Sequence, residues 1–293
     1  MASKPFQRLH PAVAFAFFAA ALLLTVLVAH PAFQVVGLAG AIISYLSFAG
    51  RSGLRSLAAL AAAFCLLTLA NPLFIPQGQT VLFTYLGQRP YTLQGLAMGA
   101  STAAMLVTAL LWFGCFNRVV TSEKLTFLFG RLAPSLTLML TMVLRLVPLY
   151  QRKARQISAA RRCVGLSAWE GPATARIRSG AAELSALTTW GLEGAIVTAD
   201  SMRSRGFGSG PRTPFATYPF TGRDIALAAL LTVLLVAAGA AAATVGEARF
   251  LPAFAFAPLS PVQTVGLLAW GLFSLMPALV NGREALQWRI VSR

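Results

Sequence analysis

Six stretches of this chain are apolar, nearly free of charge and about 17 to 24 residues long: 12–29, 32–49, 54–70, 93–116, 224–245 and 262–281. At about 1.5 Å per helical residue, each is long enough, or nearly so, to cross a hydrocarbon core of about 30 Å. No other feature constrains the fold as strongly. A transmembrane barrel would need alternating segments of about ten residues instead. A soluble domain would carry about a quarter charged residues, whereas this chain has 11%. The sequence therefore predicts an all-α polytopic membrane protein with about six transmembrane helices. The first apolar stretch follows Lys4 and Arg8 and has some features of a signal peptide. "VAHPAFQ" is a poor cleavage site, however, and a second apolar run follows at once, so a retained helix is expected.

The net charge of +16 has a topological explanation. With six crossings, the amino terminus, the loop at 50–55, the segment from 117 to 222 and the carboxyl terminus share one side. That side carries every lysine and arginine except Arg89 and Arg249. Basic residues collect on the cytoplasmic face of membrane proteins. Both termini are thus expected in the cytoplasm, and the charge calls for no nucleic acid.

The chain divides by composition into 1–117 (four spans), 118–222 and 223–293 (two spans). In the middle segment, residues 125–150 are apolar but interrupted by Gly130, Arg131, Pro134, Arg145 and Pro148. They are expected to form a broken helix in the interface. From Arg145 to Arg223 there are twelve basic residues and four acidic ones. The pattern there is helical, with a break between Gly165 and Pro172. Ile177, Ala181, Leu184, Ala195, Ala199 and Met202 fall close to one face, and Leu187, Trp190 and Val197 lie on the opposite side. Such a helix must pack against something. Glu183 and Glu193 are expected to pair with nearby arginines.

Several chemistries lack their signatures. Cys65, Cys115 and Cys163 form no CxxC, and His10 and His30 each precede a proline at the edge of an apolar run. This supports no disulfide framework and no metal site. No GxSxG, HExxH or GxxxxGK[ST] occurs. The chain reads as non-catalytic and without a cofactor, unable to hydrolyse ATP by itself.

Three stretches carry a resemblance: "NPLFIPQGQTVLF" at 71–83, "LLWFGCFNRVVTSEKLTFLFGRLAPSLTLMLTMVLRLVP" at 110–148, and "LTTWGLEGAIVTADSMRSRGFGSGPRT" at 187–213. They resemble the transmembrane T component of energy-coupling factor (ECF) transporters, ABC-type importers of vitamins and transition metals. The resemblance implies a scaffold in the bacterial inner membrane. Its partners would be two cytoplasmic ABC-type ATPases and a substrate-capturing membrane S component. It also implies two cytoplasmic coupling helices, each ending in an arginine motif that docks on one ATPase. Here the second motif is Ser204-Arg205-Gly206, with Met202 and Arg203 before it and Phe207 after it. A planar, permanently charged guanidinium at a helix carboxyl end suits carboxylates and carbonyls across an interface. Gly206 can close the helix in the left-handed region. The first motif departs from the family. Aligning "QISAARRCVG" on Ile157, Ala160 and Gly165 puts Val164 at the arginine position, with Arg161 and Arg162 a turn or less earlier.

Two other readings compete. An ordinary ABC importer permease carries a cytoplasmic Glu-Ala-Ala loop with a glycine after three further residues. Ala159-Ala160 followed by Gly165 misses that spacing by one and lacks the glutamate. A secondary carrier or intramembrane enzyme should place ionisable residues within its spans. The spans here are nearly free of them, with Asp224 at an edge.

Overall fold

The computed structural model describes residues 5–28, 30–50, 53–75, 78–85, 89–130, 133–166, 172–210, 218–244 and 260–291. The expected features at Lys4, Arg51, Arg131, 211–213, Glu247, Arg249 and Arg293 lie outside them. The chain separates into two compact units, residues 1–125 with 218–293, and residues 126–217.

The first unit holds helices α1 (Pro11–Leu27), α2 (Pro31–Ala49), α3 (Gly53–Phe74), α4 (Leu93–Val119), α8 (Gly222–Thr244) and α9 (Pro261–Val291). Five are long and apolar enough to cross a membrane: α2, α3, α4, α8 and α9 as far as Arg283, with mean hydropathies of 1.5 to 2.5. The 17-residue α1 is equally apolar but shorter. The protein is an all-α polytopic membrane protein.

The two His-Pro pairs start helices in the same way. Nδ1 of His10 accepts from the Ala12 backbone N–H at 3.2 Å, and Nδ1 of His30 from that of Ala32 at 3.3 Å. Each histidine is an N-cap and the following proline fills N1, where a missing N–H costs nothing. Burial pushes the pKa of both imidazoles down, which favours the neutral form that can accept.

The core of this unit is aromatic. Phe17 on α1 stacks on Phe273 of α9 with centroids 4.7 Å apart, and meets Trp112 of α4 edge-on at 5.7 Å. Phe6, in a short turn before α1, closes the cluster at 5.5 Å from Phe17. Small residues set the closest approaches. A Cβ at Gly37 or Gly40 of α2 would lie 2.9 Å from Trp270 or 2.1 Å from Ser274 of α9. Hydrogen bonds also tie α2 to α9: Trp270 Nε1 donates to the Phe33 carbonyl, Ser44 Oγ to that of Ser274, and Asn281 Nδ2 to Ser47 Oγ. Dispersion and interhelical hydrogen bonds are what hold helices together in lipid, where apolar burial adds little.

The gap of 71–92 between the third and fourth apolar stretches is not a plain loop. Instead α3 continues to Phe74, and a hairpin follows, β1 (Val81–Tyr85) paired antiparallel with β2 (Arg89–Thr92). After α4 comes α5 (Ser122–Gly130). Near its start the buried Lys124 donates to the carbonyls of Gln7 and Val119, so its charge satisfies the carboxyl end of α4.

The second unit contains α6 (Pro134–Cys163) and α7 (Ala173–Ser204). The expected interruption within 125–150 is confined to the α5–α6 junction. Pro134 sits in the first turn of α6, where proline is tolerated, and the helix runs through Pro148 without ending. The first helix of this segment therefore begins at Pro134 and takes in most of the stretch expected to be broken. The break before α7 falls where Gly165 and Pro172 place it.

Candidate functional site

Helices α6 and α7 pack antiparallel. Tyr150 meets Trp190 edge-on at 5.4 Å, with the Lys153 ammonium 5.4 Å from the same ring. Gly191 makes room for this joint, since a Cβ there would fall 1.8 Å from the Tyr150 hydroxyl. Further along, Arg161 donates to Ser179 Oγ at 3.0 Å, and its Nε lies 4.0 Å from Glu183 Oε1. The side of α7 that meets α6 thus carries Ser179, Glu183, Leu187 and Trp190. On the other side Ile177, Leu184, Leu192 and Ile196 are each 63–72% exposed.

The two helix ends close with the same backbone device. In α7 Arg205 is the C-cap, and Gly206 follows at φ 77°. The Gly206 N–H donates to the Arg203 carbonyl and the Phe207 N–H to that of Met202, both at 3.0 Å. In α6 Val164 is the C-cap, and Gly165 follows at φ 75°. The Gly165 N–H donates to the Arg162 carbonyl at 3.0 Å and the Leu166 N–H to that of Arg161 at 2.9 Å. This paired closure needs a left-handed residue, which glycine supplies without a Cβ clash. Position by position, Arg161-Arg162-Cys163-Val164-Gly165-Leu166 occupies the places of Met202-Arg203-Ser204-Arg205-Gly206-Phe207.

The side chains at the two ends differ. Arg203, Ser204 and Arg205 are all exposed beside the C-terminal carbonyls of α7. In α6 the C-cap side chain is apolar, and Val164 is 74% exposed. Arg161 is engaged with Ser179 and Glu183. Arg162 is exposed, as is Ala160, and holds the place of Arg203. Along α7, Ser179, which lies beside the α6 end, and Arg205 are separated by roughly 39 Å at 1.5 Å per residue. The site residues read from the sequence therefore form two separate groups, at opposite ends of the pair.

Sequence reasoning passed over Leu166, whose N–H completes the first closure, although its place after Gly165 signals it. Tyr150, Lys153 and Gly191 were also passed over. Their association depends on the register of two helices about forty residues apart in sequence, for which a single sequence carries no local signal. No family model matches this chain, and no curated protein matches it.

Proposed function

We propose that the protein is the membrane scaffold, the T component, of an ATP-driven importer of the energy-coupling factor type. In this reading it catalyses nothing. It links two cytoplasmic ATPases to a membrane S component that captures a vitamin or a transition metal. One observation carries the reading: two helices end in the same glycine closure about 39 Å apart, with Arg162 exposed at one end and Arg203 and Arg205 at the other. Two such ends suit two docking events on separate subunits. The distribution of basic residues supports an orientation with both termini and the α6–α7 segment in the cytoplasm, and the T-component reading implies a bacterial inner-membrane location.

The two contacts are unequal. Arg205 offers a cation at the cap itself, whereas the α6 end offers Val164 there and Arg162 two residues earlier. Arg161 belongs to the helix pair and not to the interface. Movement of the ATPases would pass through α6 and α7 to the membrane, and the uncovered apolar side of α7 is the surface available to the S component.

The test is co-purification. Arg205→Glu should release one ATPase, because loss of one partner of a buried charge pair costs about 2–5 kcal/mol. That is a drop of roughly 30-fold to several-thousand-fold in affinity. Arg162→Glu should weaken docking less, and membrane insertion should persist in both. Retention of both ATPases and normal substrate uptake by Arg205→Glu would overturn the reading.

A further inference from the structure

The hairpin between α3 and α4 is a different kind of surface from either helix end. Strand β1 exposes three consecutive apolar side chains, Val81, Leu82 and Phe83, each 50–56% exposed. A hairpin in water usually alternates polar with apolar, and a run of three is a signal of function. The register shifts between Val81 and Phe83, so a bulge at Leu82 takes that side chain out of simple alternation. Phe83 stacks on Tyr91 across the ladder with centroids 4.6 Å apart. Just before the hairpin, at the end of α3, Phe74 is 82% exposed. From Gly78 to Gly95 the only charged residue in the sequence is Arg89.

This apolar strand is held firmly. The Thr80 N–H donates to Gln94 Oε1, and Gln94 Nε2 donates back to Thr80 Oγ1 at 2.8 Å. The Leu93 N–H donates to the Thr80 carbonyl, and the Gly95 N–H to Thr92 Oγ1. The Tyr91 hydroxyl donates to the Leu69 carbonyl at 3.1 Å. Leu69 lies five residues before the end of α3, so this bond draws the hairpin back along the span by about 7 Å at 1.5 Å per residue.

Two constraints fix the depth at which such an element can lie. Its apolar side chains disfavour water. A two-stranded ladder also leaves backbone groups unpaired along its outer edges, and these cannot enter the hydrocarbon centre. The membrane–water interface satisfies both. Helix α3 is 22 residues long, about 33 Å, close to the thickness of the hydrocarbon, so its end emerges there.

We infer that the hairpin is an interfacial anchor, with Val81, Leu82 and Phe83 inserted among the lipid acyl chains next to the ends of α3 and α4. This holds whether or not the importer reading is correct. The test uses the full chain in lipid nanodiscs, with the exposed Cys65 and Cys163 replaced by serine and the buried Cys115 retained. An environment-sensitive fluorophore is attached to Leu82→Cys or, in a second protein, Phe83→Cys. Both should show blue-shifted emission, strong quenching by doxyl-labelled lipid and little quenching by iodide. A label at Ser209→Cys, in the polar turn after α7, should show the reverse. Iodide quenching at 82 and 83 would overturn the anchor. Protection from both quenchers would overturn it too, and would indicate a second protein chain on the hairpin.

Discussion

The membrane unit buries Phe6, Phe17, Phe18, Trp112 and Phe273 almost completely, and joins α2 to α9 by buried hydrogen bonds. Helices α6 and α7 contain no buried residue at all, although they are 30 and 32 residues long and rich in leucine and alanine. Both regions are helical, but only the first has a core. The second is held by its own backbone bonds, the Tyr150–Trp190–Gly191 joint and the Arg161–Glu183 pair. An apolar helix without a core leaves a surface for lipid or protein to cover, whereas an apolar helix within a core is complete. That difference separates a unit with a packed core from a helix pair whose apolar side chains stay exposed.

Paired substitutions test the contrast most severely. Trp112→Ala should destabilise the protein by roughly 3 kcal/mol, towards the low end of the range for buried aromatics because lipid is itself apolar. Leu192→Ala, on the uncovered side of α7, should stay within about 0.5 kcal/mol. Thermal melting in detergent reads both. A large loss at Leu192 would show that α7 is already covered in the isolated chain.

The second comparison lies within the α6–α7 unit. Gly206→Ala and Gly165→Ala both force a side chain into the left-handed region, at about 1–2 kcal/mol each. Backbone strain should therefore be equal at the two ends and shorten each helix to a similar degree, as read by amide hydrogen exchange at the last turn. If docking depends on side chains as proposed, ATPase affinity should fall further for Gly206→Ala, because only that closure positions a cap arginine. Equal losses of affinity would mean that both ends dock through the backbone and shape alone.

The smallest effect concerns pH and is confined to the membrane unit. His10 and His30 must be neutral at Nδ1 to cap α1 and α2, and burial lowers the pKa of each. Their contribution to stability is therefore complete above the unfolded value of about 6.5. It declines as the pH falls below that value and is lost once the folded-state pKa is passed. The melting temperature should drop over that window. Asparagine also caps helices and does not titrate, so His10→Asn with His30→Asn should flatten this part of the profile. An unchanged drop in the double variant would remove the two caps as its cause.

Much of this architecture was legible in the chain itself. Helix positions followed within a few residues, except that α9 runs on to Val291, because an apolar run of span length has only a helical solution in lipid. The His-Pro pairs, Gly165, Pro172 and Gly206 marked helix ends because each restricts the backbone locally. The hairpin at 81–92 was missed because strands of five and four residues between two spans carry little periodicity. The run through Pro148 was missed because a proline interrupts one hydrogen bond without necessarily ending a helix.

What the sequence determined by itself is therefore local or bulk: the apolar runs, capping, the glycine closures and the asymmetry of charge. Each depends on neighbouring residues or on summed composition. Which side of α7 is covered was decided only by the tertiary structure. Leu187 and Trp190 lie against α6 while Ile177 and Leu184 remain exposed, although both faces are apolar and hydrophobicity alone ranks them alike. The engagement of Arg161 with Ser179 and Glu183, which leaves Arg162 as the exposed cation of the first motif, was decided in the same way. The physical reason is that packing selects by shape and register. A ring such as Tyr150 needs a glycine opposite it, and the fold alone determines which residue that is.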